Sequence, residues 1–273
     1  MRNNLFLLVI LITLFIKPVK AQPVENDTAA IKKRIDSYIK AVDSADPRLL
    51  SQAFYQGAMM FWTGDDGQVN YLTQKKWKNK LSGISNPEKA TSRFIRIMDI
   101  IKDIAVVKIE SGYPDRIYYD YVAMVRSKDG WRIVNKIFTK KDASGGEMLI
   151  NNPNDRMQIQ KLIETKLKSM NTNDPDLLAS VYYPRAMSYF VDENEQVGVS
   201  IGEWVARFAF DKKNNTPIPA SIRKIQSIDC MGSVGYAKFT HEFGSYIVTD
   251  CVLLLKNENK WRIINLLFTS QNK

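Results

Sequence analysis

The sequence predicts an α+β protein built as two tandem domains, each with N-terminal helices packed on a curved antiparallel sheet. Two observations carry this. A stretch occurs twice: Ile117-Tyr-Tyr-Asp120 leads into Trp131-Arg-Ile-Val-Asn135-Lys-Ile-Phe138, and Ile247-Val-Thr-Asp250 leads into Trp261-Arg-Ile-Ile-Asn265-Leu-Leu-Phe268. The displacement is 130 positions both from Asp120 to Asp250 and from Trp131 to Trp261. Within each copy, apolar residues recur first at helical spacing and then in strand-length runs, which places helices before a meander.

Taken in order, Ile31, Ile35, Tyr38, Ile39 and Val42 mark an amphipathic helix. Asp46-Pro47 then caps and opens a second helix carrying Leu49, Leu50 and Phe54. The second copy repeats this with Ile159, Ile163 and Leu167, then Asp174-Pro175, then Leu177, Leu178 and Tyr182. Ala58-Met59 and Ala186-Met187 begin a strand that runs to Trp62 or Phe190. A loop rich in Gly and acids follows (Gly64 to Gly67; Asp192 to Glu195), and then a short helix with Trp77 or Trp204. Four β runs close each copy: 93–101, 104–112, 116–126 and 131–140, then 223–231, 234–243, 246–256 and 260–270.

The domains are therefore expected at 22–142 and 155–273, joined by a Gly-, Asn- and Pro-rich linker at 143–154. In the 116–126 run, Tyr118, Asp120, Val122 and Met124 share one face, and Tyr119, Tyr121, Ala123 and Val125 share the other. Helices cover only one face of such a sheet, so the second apolar face needs a partner. The other copy is the nearest one, giving an intramolecular pseudo-dimer and a monomeric chain with Tyr121 and Val125 inaccessible.

Of 273 residues, 45% are hydrophobic and 25% charged, enough for two domains with cores of their own. Arg2, the apolar run Leu5 to Ile16 and the small residues around Ala21 read as a signal peptide over 1–21, with an uncleaved anchor as the alternative. The expected location is thus periplasmic or extracellular. No Cys stands near Ala21, so no lipoprotein anchor is expected. Cleavage would remove Arg2, Lys17 and Lys20 and lower the net charge from +10 to +7. A nucleic-acid partner is not expected: the densest basic cluster, Lys75, Lys76, Lys78 and Lys80 around Trp77, suits the solvated face of a short helix. Cys230 and Cys251 fall on strands one apart, which favours free buried thiols over a disulfide. No grouping of Cys, His and carboxylates has metal-ligand spacing, and no phosphate loop or nucleophile elbow is present, so no cofactor is expected.

The arrangement resembles the nuclear transport factor 2-like, or ketosteroid isomerase-like, superfamily, a cone-shaped α+β fold that includes the SnoaL-like proteins. Within it the chain looks most like the bacterial lumazine-binding type. The residues that carry this are Tyr119-Asp120-Tyr121 and Asp129-Gly130-Trp131-Arg-Ile-Val-Asn135-Lys136. The resemblance implies the fold strongly and the function weakly, because the superfamily hosts several chemistries. Its isomerases hold substrate with a Tyr on the first helix, an acid on a late strand and an Asp base at the end of the first strand. Tyr38 matches the first and Asp120 the second, but Trp62 and Phe190 stand where the base belongs. In the second copy Lys166 replaces Tyr38 while Asp250 keeps the acid, a combination expected to form a buried ion pair.

Tyr38, Trp62, Asp120, Asn135, Asp250 and Asn265 are the candidate ligand-pocket residues. Asn135 and Asn265 are expected on the Trp131–Ile133 and Trp261–Ile263 faces. Weaker catalytic candidates are Asp120, Tyr38, Asp250 and His241, the sole histidine. Two functions remain open. One is a non-catalytic small-molecule-binding or interaction protein of the cell envelope, whose partner would be a small apolar or aromatic molecule. The other is an isomerase, dehydratase or cyclase using an acid in the cone.

Overall fold

The computed structural model describes residues 24–145 and 150–273; the expected signal segment, 1–21, lies outside the described residues. The first repeat comprises α1 (Val24–Asp43), α2 (Pro47–Ala53), β1 (Phe54–Thr63), β2 (Val69–Thr73), α3 (Gln74–Ser82), β3 (Ser92–Ile101), β4 (Ile104–Gly112), β5 (Arg116–Ser127) and β6 (Gly130–Asp142). The second comprises α4 (Pro153–Thr172), α5 (Pro175–Val181), β7 (Tyr182–Asp192), β8 (Glu195–Ser200), α6 (Ile201–Lys213), β9 (Ile222–Met231), β10 (Val234–Phe243), β11 (Tyr246–Asn257) and β12 (Lys260–Asn272). The sheet orders are β2-β1-β6-β5-β4-β3 and β8-β7-β12-β11-β10-β9, the same path twice. In each sheet the first strand joins the last in parallel, and the other pairings are antiparallel.

The caps form as the sequence requires. Asp46 Oδ1 accepts from the Arg48 amide at 2.8 Å, and Asp174 accepts from the amides of Asp176 and Leu177. Each such cap stabilises its helix by about 1 kcal/mol. The helix α4 begins at Pro153, inside the expected linker, because Asn152 Oδ1 caps it by accepting from the Asn154 and Asp155 amides. Helix and sheet are pinned by a contact that both repeats share. The indole of Trp131 donates to Asp27 on α1 at 3.1 Å, and that of Trp261 donates to Asp155 on α4 at 3.1 Å. The duplicated Trp therefore docks the long helix onto the last strand.

Two strands were not expected. The loops at Gly64 to Gly67 and Asp192 to Glu195 are the turns of hairpins, and between each loop and the short helix a strand intervenes, β2 returning along β1 and β8 along β7. Gly67 turns the first at a φ of +74°, and Glu193 and Asn194 turn the second at 47° and 67°. Alternation over the five or six residues of β2 and β8 is too brief to stand out from a loop.

The outer faces of the two sheets pack on each other. Phe61, Val106, Tyr121, Ala123, Val125 and Ile137 form one cluster with Tyr236, Cys251, Leu253, Leu255, Ile264 and Leu267. Tyr121 is 0% exposed and Val125 1%, so the face without helices is covered by the other repeat, as the alternation of β5 demands. Ion pairs cross this apolar layer reciprocally. Lys108 Nζ donates to Asp229 at 2.8 Å, and Lys238 Nζ donates to Asp99. Tyr121 and Tyr236 add hydroxyl donors to the same two carboxylates at 2.6 Å each. The two lysine pairs join equivalent residues, Lys108 and Lys238 standing 130 positions apart, as do Asp99 and Asp229, which is the signature of a two-fold interface.

Cys230 on β9 and Cys251 on β11 are free and buried, with β10 between their strands. Among the described residues, no helix is long and apolar enough to cross a membrane, and no group of His, Cys, Asp and Glu could hold a metal ion.

Candidate functional site

The helix-covered face of each sheet carries one buried carboxylate. Asp120 on β5 lies opposite Phe138 on β6, which lies opposite Trp62 on β1, so the three side chains form a row on the inner face. Asp120 is 3% exposed. Its Oδ2 accepts from the Tyr38 hydroxyl at 3.1 Å, and its Oδ1 lies 3.0 Å from the ammonium of Lys136. Burial pushes the Asp120 carboxyl above its ordinary range, with Lys136 and Tyr38 pulling the other way. Burial, followed by the Asp120 charge, holds the Tyr38 phenol well above its usual value.

Around this group the inner face is aromatic. Tyr38, Phe54 and Trp77 meet edge to face at 5.2–5.7 Å between centroids. The Lys136 ammonium lies 4.2 Å from the Phe138 ring centre, and Trp62 stacks on Phe138 at 5.3 Å. Trp62, Phe138 and Tyr118 are half-buried and form a partly exposed rim beside the buried Tyr38, Asp120 and Lys136. Phe190 and Phe268 stack equivalently in the second repeat, at 4.6 Å. Both positions where the isomerases carry a base are thus halves of aromatic pairs.

Lys136 is the residue that sequence reasoning missed as a site member. Its counterpart 130 positions on is Leu266, so comparing the repeats hid it. In the second repeat the cation comes from the helix instead: Lys166, at the position of Tyr38, donates to Asp250 Oδ2 at 2.9 Å. The expected ion pair is present, with side chains 3% and 5% exposed. Each cone therefore neutralises its acid with one lysine, from β6 in one case and α4 in the other. A buried carboxylate demands a cation or a proton, and that demand was the signal available in sequence.

His241 is engaged on both ring nitrogens. Arg223 Nε donates to Nδ1 at 3.1 Å, and Nε2 lies 3.2 Å from Asp250 Oδ2. Because an arginine only donates, Nδ1 accepts here, and Nε2 is turned to Asp250. A ring so bound, 1% exposed, has no free nitrogen to serve as a base. Burial would raise the Asp250 carboxyl, but Lys166 and His241 outweigh it and hold it down at about 2.

The placement of Asn135 and Asn265 is corrected. Val134 is an extra residue in β6: Ala123 pairs with Asn135 and Met124 with Ile133. This bulge moves Asn135 to the face of Ala123 and Met59, toward the other repeat. Ile264 does the same in β12, where Asn265 pairs with Leu253 and its amide donates to the Met187 carbonyl at 3.1 Å. Neither asparagine lines a cone. Of the six candidates, Tyr38, Trp62 and Asp120 share the first cone, and Asp250 lies in the second.

A depression of about 500 Å³ lies elsewhere, lined by Asn151, Pro153, Arg156, Met157, Gln160 and Ile228. It is open to solvent, and its one cation, Arg156, is bound to the Ile228 carbonyl.

No curated protein matches the sequence. Solved structures similar to the chain include NTF2-like proteins of unknown function from Silicibacter pomeroyi, Shewanella baltica and Methylobacillus flagellatus. They are 18%, 17% and 18% identical, each with a TM-score of 0.39. Their alignments cover 44%, 44% and 46% of this chain and 100%, 98% and 99% of theirs. The family model described as "Putative lumazine-binding" matches twice, over residues 26–139 and 154–269. The chain belongs to that family and carries its domain twice in tandem.

Proposed function

We propose that the protein is a non-catalytic binding protein of the cell envelope, exported through its 1–21 segment, whose first cone takes a small apolar or aromatic molecule at the Trp62 rim. One observation carries the non-catalytic reading: the position of the isomerase base is an aromatic stack in both repeats, Trp62 on Phe138 and Phe190 on Phe268. An aromatic pair cannot accept a proton from a substrate carbon, but it offers a flat surface on which a planar ring stacks. The family description suggests a lumazine as the first probe.

The test is a fluorescence titration of the protein with a lumazine and a panel of planar heteroaromatics. Saturable quenching is expected, lost in Trp62→Ala and kept in Phe190→Ala. Quenching unchanged by Trp62→Ala would place binding elsewhere and overturn the assignment. Export is tested by fractionating cells and weighing the product: a chain beginning at Met1 in the cytosol would refute it.

One feature favours the enzymatic alternative. The Tyr38 hydroxyl donates to Asp120 in the buried floor of the first cone, and these are the two positions that match the substrate-holding Tyr and acid of the isomerases. Turnover of a small carbonyl compound that vanished in Asp120→Asn would replace the binding reading with an isomerase, dehydratase or cyclase.

A further inference from the structure

Because each repeat serves as an internal reference for the other, a difference between equivalent positions exposes groups that have lost a partner. In the first repeat, Arg93 at the start of β3 is fully engaged. Its Nη1 and Nη2 donate to Asp43 at 3.1 and 2.7 Å, a two-pronged pair, and its Nε donates to Ser111 at 3.3 Å. Asp43 is the last residue of α1.

In the second repeat the arginine is kept as Arg223, but its surroundings differ. Asn171 stands at the position of Asp43, His241 at that of Ser111 and Phe243 at that of Tyr113. Arg223 Nε is used by His241 at 3.1 Å, and Nη1 has one long contact with the Leu167 carbonyl at 3.5 Å. Among the described residues no carboxylate pairs with Arg223, and burial lowers the pKa of its guanidinium. Lys166 is already committed to Asp250, so this cone carries one positive charge more than its own acids neutralise. Arg223 pairs with His241 across β9 and β10, and two residues beyond His241 the half-buried ring of Phe243 stacks on that of Tyr246 at 4.9 Å, an apolar wall at the same end of the sheet.

We infer that Arg223 is a binding site for a small organic carboxylate with an apolar body: the carboxylate takes the place that Asp43 fills in the first repeat, and the body lies on the Phe243–Tyr246 stack. The two-pronged fit of Arg93 on Asp43 is the template for the contact. A carboxylate suits this position better than a phosphate because the C-terminal end of α4, at Asn171 and Thr172, is itself partially negative and opposes a second negative charge. The site is in the other repeat from Trp62, so it stands or falls independently of ligand binding at the first rim.

The experiment uses the full protein and sodium benzoate, with sodium chloride at matched ionic strength as reference and inorganic phosphate as a third arm. Benzoate should raise the melting temperature saturably, by about 5 °C at roughly a hundredfold excess over Kd. The variant Asn171→Asp supplies the carboxylate from the chain; it should melt higher without ligand and lose the benzoate response. Asp43→Asn opens the equivalent arginine and should add a second, weaker binding event. In a Trp62→Ala background, which removes the first rim as a second place for an aromatic ring, Asn171→Asp should abolish the remaining benzoate response in the same way. A benzoate response shared equally by the parent and Asn171→Asp would overturn the site, as would no response beyond chloride. A stronger response to phosphate would overturn the carboxylate assignment.

Discussion

Lys108 of the first repeat lies 2.8 Å from Asp229 of the second, across a layer of apolar side chains, with both side chains 15% exposed. Removing one member of such a pair leaves the other charged and poorly solvated. Asp229→Ala should therefore destabilise the protein by roughly 3 kcal/mol, since Asp229 also accepts from Tyr121. The Lys108→Met/Asp229→Leu double variant should recover most of that loss. Denaturant unfolding of the two variants and the parent checks this; a double variant as unstable as Asp229→Ala would contradict it.

The same layer joins the two repeats into one folding unit. A chain whose outer faces cover each other should run as a monomer by light scattering and unfold in one transition. Replacing Tyr121, 0% exposed, with Asp places a charge in that layer and should split the transition in two. A parent that already unfolds in two separate steps would contradict this coupling.

The two cones balance their acids by different routes, which makes a transplant possible. Lys136→Leu leaves Asp120 without its cation, and Tyr38→Lys puts a second cation beside it. Each should cost roughly 3 kcal/mol. The combination reproduces the pairing of Lys166 with Leu266 around Asp250 and should be clearly more stable than the sum of its parts. Strict additivity in a double-mutant cycle would show that the two lysines do not do equivalent work.

The acids should also answer pH in opposite senses. Asp250 titrates below its unfolded range, so its contribution is present above about pH 4 and is lost as the pH falls toward 2, a change of roughly 2 kcal/mol. Asp120 titrates above that range, so its contribution is fully present in acid and declines as the pH rises past about 4. Between pH 4 and 2, the stability of Asp250→Asn should fall less steeply than that of the parent. Above pH 4, Asp120→Asn should show a more positive slope than the parent. Unfolding free energies at stepped pH read both slopes, and parallel curves for all three proteins would refute the assignment.

The thiols give a simpler check. Burial raises Cys230 to about 11 and Cys251 to about 12, so neither should react with an aromatic disulfide reagent in the native protein at pH 8. Both should react on unfolding. Rapid labelling of the folded chain would show an interface more open than the packing of Cys251 allows.

Much of this architecture was legible because the sequence contains its own alignment. Asp46 and Asp174, Trp131 and Trp261, and the two faces of β5 could be read twice. Where the copies share a local irregularity, the comparison misled: both carry the bulge at Val134 or Ile264, so both asparagines were placed on the wrong face. Where the copies differ, it concealed: Lys136 faces Leu266, and Lys166 faces Tyr38. Charge balance around a buried acid is set in three dimensions, and the cation can come from any element that reaches the acid.

The reciprocal contact of Lys108 and Lys238 with Asp229 and Asp99 has a consequence for how such a molecule can change. In a dimer of identical chains, every substitution appears in both subunits, and a change that suits one pocket is imposed on the other. Joined in one chain, the halves keep the mutual contact but are free to diverge elsewhere. Tyr38 against Lys166 and Asp43 against Asn171 are differences that a symmetric pair of identical subunits could not hold.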